Sequence, residues 1–96
     1  MPNTTELREL IAAIDRDIID LIATRMEISD ELAKAKKESA QEYWDKAKEE
    51  EVIGRYAELC KEVSLSEGEA RIIAEVLLKI SKNRQKHLFD ENSANL

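Results

Sequence analysis

Two cations interrupt an apolar stripe in the first half of the chain. In the stretch ATRMEISDELAKAK, residues 23–36, Arg25 falls where the recurring leucines and isoleucines predict another core residue. Lys36 comes 11 residues later, about 20° away around an ideal α-helix, so both side chains belong to one face. Because a buried cation has to be paired, the two residues predict either an internal salt bridge or a pocket that binds an anion.

Two more groups of polar residues stand where apolar residues are expected. Ser81 and Gln85 form an i, i+4 pair, which projects from one side of a helix. Asp45, Lys48 and Glu49 share a face through i, i+3 and i, i+4 spacing. Three segments of the chain thus direct polar groups towards a common interior.

These residues allow two interpretations. In the first, Arg25 forms an internal ion pair with Glu49 or Asp45, and the chain is a non-catalytic helical dimer. That pairing does not explain why Lys36, Ser81 and Gln85 also occupy positions where apolar residues are expected. In the second, the cations form a pocket for a small polyanion, in which the amide and the hydroxyl set the orientation of the ligand.

Other chemistries have no support in the residues. His87 is the single histidine and has no second ligand at metal-binding spacing, so we expect no metal site. The sequence has no Ser-His-Asp order and no glycine-rich phosphate loop. The single cysteine, Cys60, is expected to be a buried apolar residue. We therefore expect no cofactor and no covalent intermediate.

The composition is typical of long solvated helices. Charged residues make up 38% of the 96 residues, with two Gly and one Pro, which favours an all-α single domain over strands and tight turns. The net charge of −6, with dispersed Lys and Arg, argues against nucleic acid or an anionic membrane as a partner. There is no signal segment and no apolar run long enough to span a bilayer, so we expect a cytoplasmic protein.

Three helices are predicted to position the polar groups. The first runs over about residues 4–38 and begins at Asn3, with Glu6 as its capping partner; the second covers about 45–62. The third covers about 67–89 behind a capping box of Ser66 and Glu69, and the polar tail 90–96 is expected to fray. The apolar stripe of the first helix comprises Leu7, Ile11, Ile14, Ile18, Leu21, Ile28, Leu32 and Ala35.

The length of the first helix predicts a dimer. At 1.5 Å per residue the helix is roughly 50 Å long, whereas a globule of this size is roughly 25 to 30 Å across. One chain cannot cover such a helix alone. A second copy of the chain is the simplest cover, since two-fold dimers are the commonest oligomers.

The stretch ELRELIAAIDRDIIDLIATRMEISDELAKAK resembles the first helix of the all-helical, type II chorismate mutases. It supplies the residues of that family's pattern at the family's spacings, namely Leu7-Arg8, Ile14-Asp15, Arg25 and Lys36. The resemblance covers about residues 5–90, and the family's later polar positions are occupied by Asp45, Glu49, Ser81 and Gln85. Lys48 departs from the pattern, because the family commonly has Arg there, and lysine offers a point charge instead of a bidentate fork.

The resemblance implies an intertwined helical homodimer in which each active site borrows one residue from the other subunit. Arg8 lies 17 residues before Arg25, about 25 Å away along the helix axis and on another face. It cannot reach the pocket of its own chain, so it would have to come from the partner.

The implied reaction is the rearrangement of chorismate to prephenate, a pericyclic step that needs no nucleophile, metal or cofactor. The roles implied by the resemblance are carboxylate binding by Arg25, Ser81 and Arg8 of the partner subunit; donation to the ether oxygen by Lys36 and Gln85; binding of the ring hydroxyl by Glu49 and the backbone near Asp45; and added positive potential from Lys48. An isochorismate pyruvate lyase or a 4-amino-4-deoxychorismate mutase would use the same fold, and Lys48 leaves both open as alternatives.

Overall fold

The chain folds into three α-helices without strands in the part that is described. A computed structural model describes residues 1–94, with side chains through residue 90. Its helices are α1 (Thr4–Glu38), α2 (Lys46–Lys61) and α3 (Glu67–Ala94). The prediction of an all-α fold with a very long first helix is confirmed.

The helices begin at the residues that the sequence indicates. The Asn3 side chain accepts a hydrogen bond from the backbone N–H of Glu6 at 2.9 Å. Asp45 is the N-cap of α2 and accepts from the backbone N–H two residues later at 2.9 Å. Ser66 and Glu69 form the reciprocal capping box, with distances of 3.0 and 2.8 Å. Each cap satisfies backbone donors that the first helical turn leaves unpaired.

α3 is longer than predicted. It continues to Ala94, whereas the sequence interpretation ends it near residue 89 and expects fraying from residue 90. Residues 90–94 contain neither Gly nor Pro, so the sequence has no residue that would break the helix there. Residues 95 and 96 of the predicted tail lie outside the described residues.

α3 is the element that holds the fold together, because it packs against both α1 and α2. The buried apolar residues are small in number: Met26 and Ala33 of α1, Cys60 of α2, and Ala70, Ala74, Leu77 and Leu78 of α3. The prediction that Cys60 is buried is confirmed. Alanine is the smallest of these side chains, so the alanines of α3 permit a short distance between the packed helices. The core therefore contains few large apolar side chains.

The face of α1 that contacts α3 differs from the predicted stripe. The buried residues of α1 are Met26, Ser29 and Ala33, whereas Leu7, Ile11, Ile14, Ile18 and Leu21 are 46 to 70% exposed. The N-terminal part of the stripe is exposed because α1 is long: the chain measures 61 × 26 × 15 Å, and α2 and α3 reach only the C-terminal half of the helix. The apolar N-terminal half of the helix has no cover from its own chain.

Two polar contacts fasten α1 to α3 outside the core. Arg84 donates to both carboxylate oxygens of Asp30, at 3.0 and 2.5 Å, and this hydrogen bonding lowers the pKa of the Asp30 carboxyl. Near the end of α1, Lys37 donates to the backbone carbonyl of Phe89 at 3.1 Å. These contacts fix the alignment of the two helices that carry most of the polar residues.

None of the helices in the described part of the chain could cross a bilayer.

Candidate active site

A cavity of about 280 Å³ lies between the C-terminal half of α1, the start of α2 and the middle of α3. Seven of the eight predicted site residues line it: Arg25, Lys36, Asp45, Lys48, Glu49, Ser81 and Gln85. Apolar side chains complete the wall, among them Ile28, Leu32, Val52 and Leu78. Ile28 and Leu32, which belong to the predicted stripe, therefore line this cavity. The buried residues of α1 lie on a neighbouring face of the helix.

Arg25 is held from α3 by a hydroxyl group. Its Nη1 donates to the Ser81 Oγ at 3.0 Å, and Ser81, 3% exposed, donates in turn to the Met26 sulfur at 3.5 Å. Within the described residues no carboxylate forms an ion pair with Arg25. A guanidinium has five N–H donors, so most of its binding capacity is available to a ligand.

The internal ion pair of the first interpretation does not form. The Glu49 Oε2 accepts a hydrogen bond from the indole Nε1 of Trp44 at 2.9 Å, and Asp45 uses its carboxylate to cap α2. Both predicted partners of Arg25 are thus engaged elsewhere. The half-buried guanidinium is aligned by Ser81 without being neutralised.

Lys36 is positioned by three groups from two parts of the chain. Its Nζ donates to the Gln85 Oε1 at 2.8 Å and to the Tyr43 carbonyl oxygen at 3.0 Å, and it lies 5.7 Å from the ring centroid of Trp44. Burial lowers the pKa of the Lys36 ammonium, while the charge of Asp45 opposes this shift. The cation is held in place by neutral groups and an aromatic ring.

Gln85 connects Lys36 to α1 through a second hydrogen bond. It is 2% exposed, and its Nε2 donates to the Ser29 Oγ at 3.0 Å. Ser29 and Met26 are parts of the site that the sequence interpretation missed. A signal for Ser29 was present, because it lies one turn after Arg25 and seven residues before Lys36 and therefore shares their side of α1.

Lys48 lies at the rim of the cavity. Its ammonium pairs with the Glu51 carboxylate at 3.4 Å, and both side chains are well exposed to solvent. Such a pair is weak, so Lys48 can exchange it for a ligand. Trp44 was not predicted; the ammonium groups of Lys36 and Lys82 lie 5.7 and 5.8 Å from the centroid of its ring.

Arg8 is the predicted site residue that the cavity of a single chain does not include. It is exposed in the first turns of α1, the end of the helix that neither α2 nor α3 covers. No group of His, Cys, Asp and Glu side chains within the described residues is arranged to hold a metal ion.

Fold and cavity together define a class: a small all-helical protein with a cavity that is lined by a guanidinium, an ammonium, a hydroxyl and an amide. Residues 7–86 match the family described as chorismate mutase type II. The chain therefore belongs to the type II chorismate mutases, which are isomerases. It is 30% identical over 86 residues to the chorismate mutase of Methanocaldococcus jannaschii, an alignment that covers 90% of this chain and 87% of that protein. No solved structure matches the chain.

Proposed function

We propose that the chain rearranges chorismate to prephenate inside the cavity that Arg25 and Lys36 line. The observation that supports this most is the absence, among the described residues, of a carboxylate paired with either cation. Aligned cations without a paired carboxylate, in one small cavity, favour an anionic ligand. Family membership supplies the identity of that ligand.

The rearrangement breaks the ether C–O bond and forms a C–C bond within one molecule, so electrons are redistributed without a proton transfer. Negative charge develops on the ether oxygen as its bond to carbon breaks. Donors that are already in place stabilise this charge without reorganising. In our proposal Lys36 and the Nε2 of Gln85 are these donors.

The two carboxylates are assigned to cations at opposite ends of the ligand. Arg25, aligned by Ser81 at 3.0 Å, binds one carboxylate, and Arg8 of the partner subunit binds the other. Glu49 and the backbone at Asp45 hold the ring hydroxyl, and Lys48 adds positive potential at the rim. Fixing the flexible substrate in its reactive chair supplies much of the rate enhancement. The conformational entropy of the substrate is then lost on binding and no longer adds to the activation free energy of the chemical step.

The shared site requires a homodimer, which we propose on two grounds. The apolar residues of the N-terminal half of α1 include Leu10, Ile11, Ile14, Ile18 and Ile19, all 47 to 62% exposed. Several exposed apolar residues on one helix support a protein–protein interface there. Arg8 lies in the same half of the helix, so a partner chain that covers this surface would meet it. We place the enzyme in the cytoplasm, in accord with its unpaired Cys60.

The test is to supply chorismate, isochorismate and 4-amino-4-deoxychorismate separately to the purified chain and to identify the products. We expect prephenate from chorismate, with much lower turnover of the other two compounds. Release of pyruvate from isochorismate would instead identify a lyase, and rearrangement of the amino compound would identify the aminodeoxychorismate mutase. An absence of turnover with all three would contradict an enzymatic role.

A further inference from the structure

We propose that Ser29 is a positioning residue that orients Gln85 for catalysis. This role rests on the proposed function, because it acts on the amide that donates to the ether oxygen. Ser29 lines the cavity and is 7% exposed. Its Oγ accepts a hydrogen bond from the Gln85 Nε2 at 3.0 Å.

The amide of Gln85 is held at both ends. An ammonium group only donates hydrogen bonds, so the Lys36 Nζ, at 2.8 Å, requires the carbonyl oxygen of Gln85 to face it. The amide nitrogen then has to face Ser29. One of its two N–H groups is bound to the Ser29 oxygen, which leaves the second for the substrate.

The direction of the Ser29 hydroxyl supports a role outside its own helix. Hydroxyl side chains in a helix commonly bond the carbonyl four residues earlier, as Thr24 does with Asp20 and Ser39 with Ala35, at 3.1 and 2.9 Å. Ser29 has no bond of this kind in the described part of the chain; its recorded hydrogen bond crosses to α3. The hydroxyl is therefore an acceptor for Gln85 and not a local cap.

The hydrogen bonds form a chain from a charge to the reacting region. The Lys36 ammonium polarises the Gln85 amide through its carbonyl oxygen, and the amide in turn bonds to Ser29. Consecutive hydrogen bonds strengthen one another in a low-dielectric site. Removing the Ser29 oxygen leaves the amide nitrogen without its fixed partner, so the second N–H group loses its defined direction.

The test is a double-mutant cycle between Ser29→Ala and Gln85→Leu. In the otherwise unchanged chain, we expect Ser29→Ala to lower kcat about tenfold or more with little change in KM, because the lost orientation matters most in the transition state. In the Gln85→Leu background the same substitution should lower kcat no further. Thr24→Ala, which removes another α1 hydroxyl from outside the cavity, serves as the matched control and should leave kcat unchanged.

A second measurement tests the hydrogen bond without turnover. The chain has two glutamines, Gln41 and Gln85, so their side-chain amide signals in a ¹H–¹⁵N spectrum can be assigned by comparison with Gln85→Leu. We expect Ser29→Ala to shift the two amide protons of Gln85 and to leave those of Gln41 in place. Circular dichroism should show unchanged helicity, since alanine is the better helix former.

The outcomes separate this role from the proposed function. A kcat within twofold of the unmodified chain in Ser29→Ala, an equal loss in the Gln85→Leu background, or unchanged Gln85 amide signals would each overturn the role of Ser29 while mutase activity stood. A chain that turns over no chorismate before any substitution would overturn the proposed function, and the role of Ser29 with it.

Discussion

At the scale of single residues, the two cations that line the cavity, Arg25 and Lys36, are held by hydrogen bonds to neutral groups. Lys36 is an example: burial lowers the pKa of its ammonium, while the Gln85 Oε1 and the Tyr43 carbonyl oxygen accept hydrogen bonds from it. In the proposed mechanism the ammonium has to keep its positive charge to stabilise the ether oxygen. The local environment would then set the pH range of that mechanism.

We expect kcat/KM to fall at alkaline pH, with a midpoint below the ordinary pKa of lysine, because kcat/KM reports the pKa values of the free enzyme. The sign follows from the lowered pKa of Lys36, because deprotonation removes the positive charge of the ammonium as pH rises. The measurement is the pH profile of kcat/KM for the chain and for Lys36→Arg, whose guanidinium stays charged. Alkaline loss of equal midpoint in both proteins would show that another group is responsible.

The pKa shift of Lys36 also affects stability, and with the opposite dependence on pH: activity is expected to fall as pH rises, whereas the contribution of Lys36 to the free energy of unfolding rises. A lysine whose folded pKa is lowered binds fewer protons in the folded chain than in the unfolded chain between the two pKa values. Its contribution to the free energy of unfolding therefore rises with pH through that window and is smallest below it. The burial of the Lys36 ammonium therefore lowers the stability of the fold at neutral pH.

Gln85 removes a second source of pH dependence from the site. An amide donates hydrogen bonds at every working pH, whereas a carboxyl group donates only when protonated. We expect Gln85→Glu to be active at low pH and to lose kcat as pH rises towards neutrality. The pH profiles of the two proteins, measured side by side, test this; identical profiles would show that Gln85 does not donate to the reacting oxygen.

At the scale of the elements, the C-terminal ends of α1 and α2 are followed by residues with positive φ that are not glycine. The chain after α1 closes with hydrogen bonds from Ala40 to Lys37 and from Gln41 to Lys36, a pattern that places Ala40 at φ 57°. After α2, Ser64 has φ 62°. Both lie in the left-handed region, which is unfavourable for residues with a Cβ atom.

We expect Ala40→Gly and Ser64→Gly each to raise the free energy of unfolding by about 0.5–1 kcal/mol. The relief of ~1–2 kcal/mol at a positive φ exceeds the ~0.4–1 kcal/mol by which glycine favours the unfolded chain. Urea unfolding at fixed chain concentration measures the change. Ala57→Gly, within α2, is the control and should destabilise the protein, and a loss of stability in all three would contradict strain at these helix ends.

The sequence predicted the helices and their caps because those signals are local. Asn3, Asp45 and Ser66 bond backbone groups within their own first turn, and a one-dimensional pattern records such contacts directly. The grouping of polar positions also followed from helical spacing. The Trp44 bond to Glu49 and the carbonyl that Tyr43 offers to Lys36 could not be foreseen, because they depend on the path of the connection between α1 and α2.

The face of α1 that packs on α3 was missed for a related reason. Both the stripe with Ile28 and the narrower one with Met26, Ser29 and Ala33 satisfy helical periodicity. Only the positions of the other helices decide which one becomes the internal contact. The residues of the more apolar stripe instead line the cavity or lie on the part of the helix that α2 and α3 do not cover.

At the scale of the whole molecule, the shape is extended for its length. The radius of gyration is 17.1 Å, against about 12–13 Å expected for a compact chain of this size. A protein with so much apolar surface exposed gains stability by association. If the chain is an obligate dimer, its free energy of unfolding depends on chain concentration.

We expect two inactive variants to restore activity when their chains are exchanged. Arg8→Ala and Arg25→Ala should each lower kcat/KM at least about 100-fold, as expected when a donor to the reacting dianion is lost. A heterodimer of the two has one site with both arginines intact and should recover up to half of the activity per dimer. The measurement is turnover after unfolding and refolding the mixed chains, with each variant refolded alone as the control.

Confirmed heterodimers without recovered activity would contradict a shared site. Circular dichroism of Arg25→Ala adds an independent check, because an arginine that waits for a ligand contributes little to folding. A large loss of helicity in that variant would instead support a structural role for the guanidinium.

The wall of the cavity also contains the single tryptophan of the chain. The indole of Trp44 donates to Glu49 at 2.9 Å, and two ammonium groups lie 5.7 and 5.8 Å from its ring centroid. Indole emission responds to nearby charge and to water, and a bound dianion changes both. The protein thus carries its own fluorophore at the proposed binding site, so its emission offers an optical titration of substrate, product or inhibitor in variants that no longer turn over.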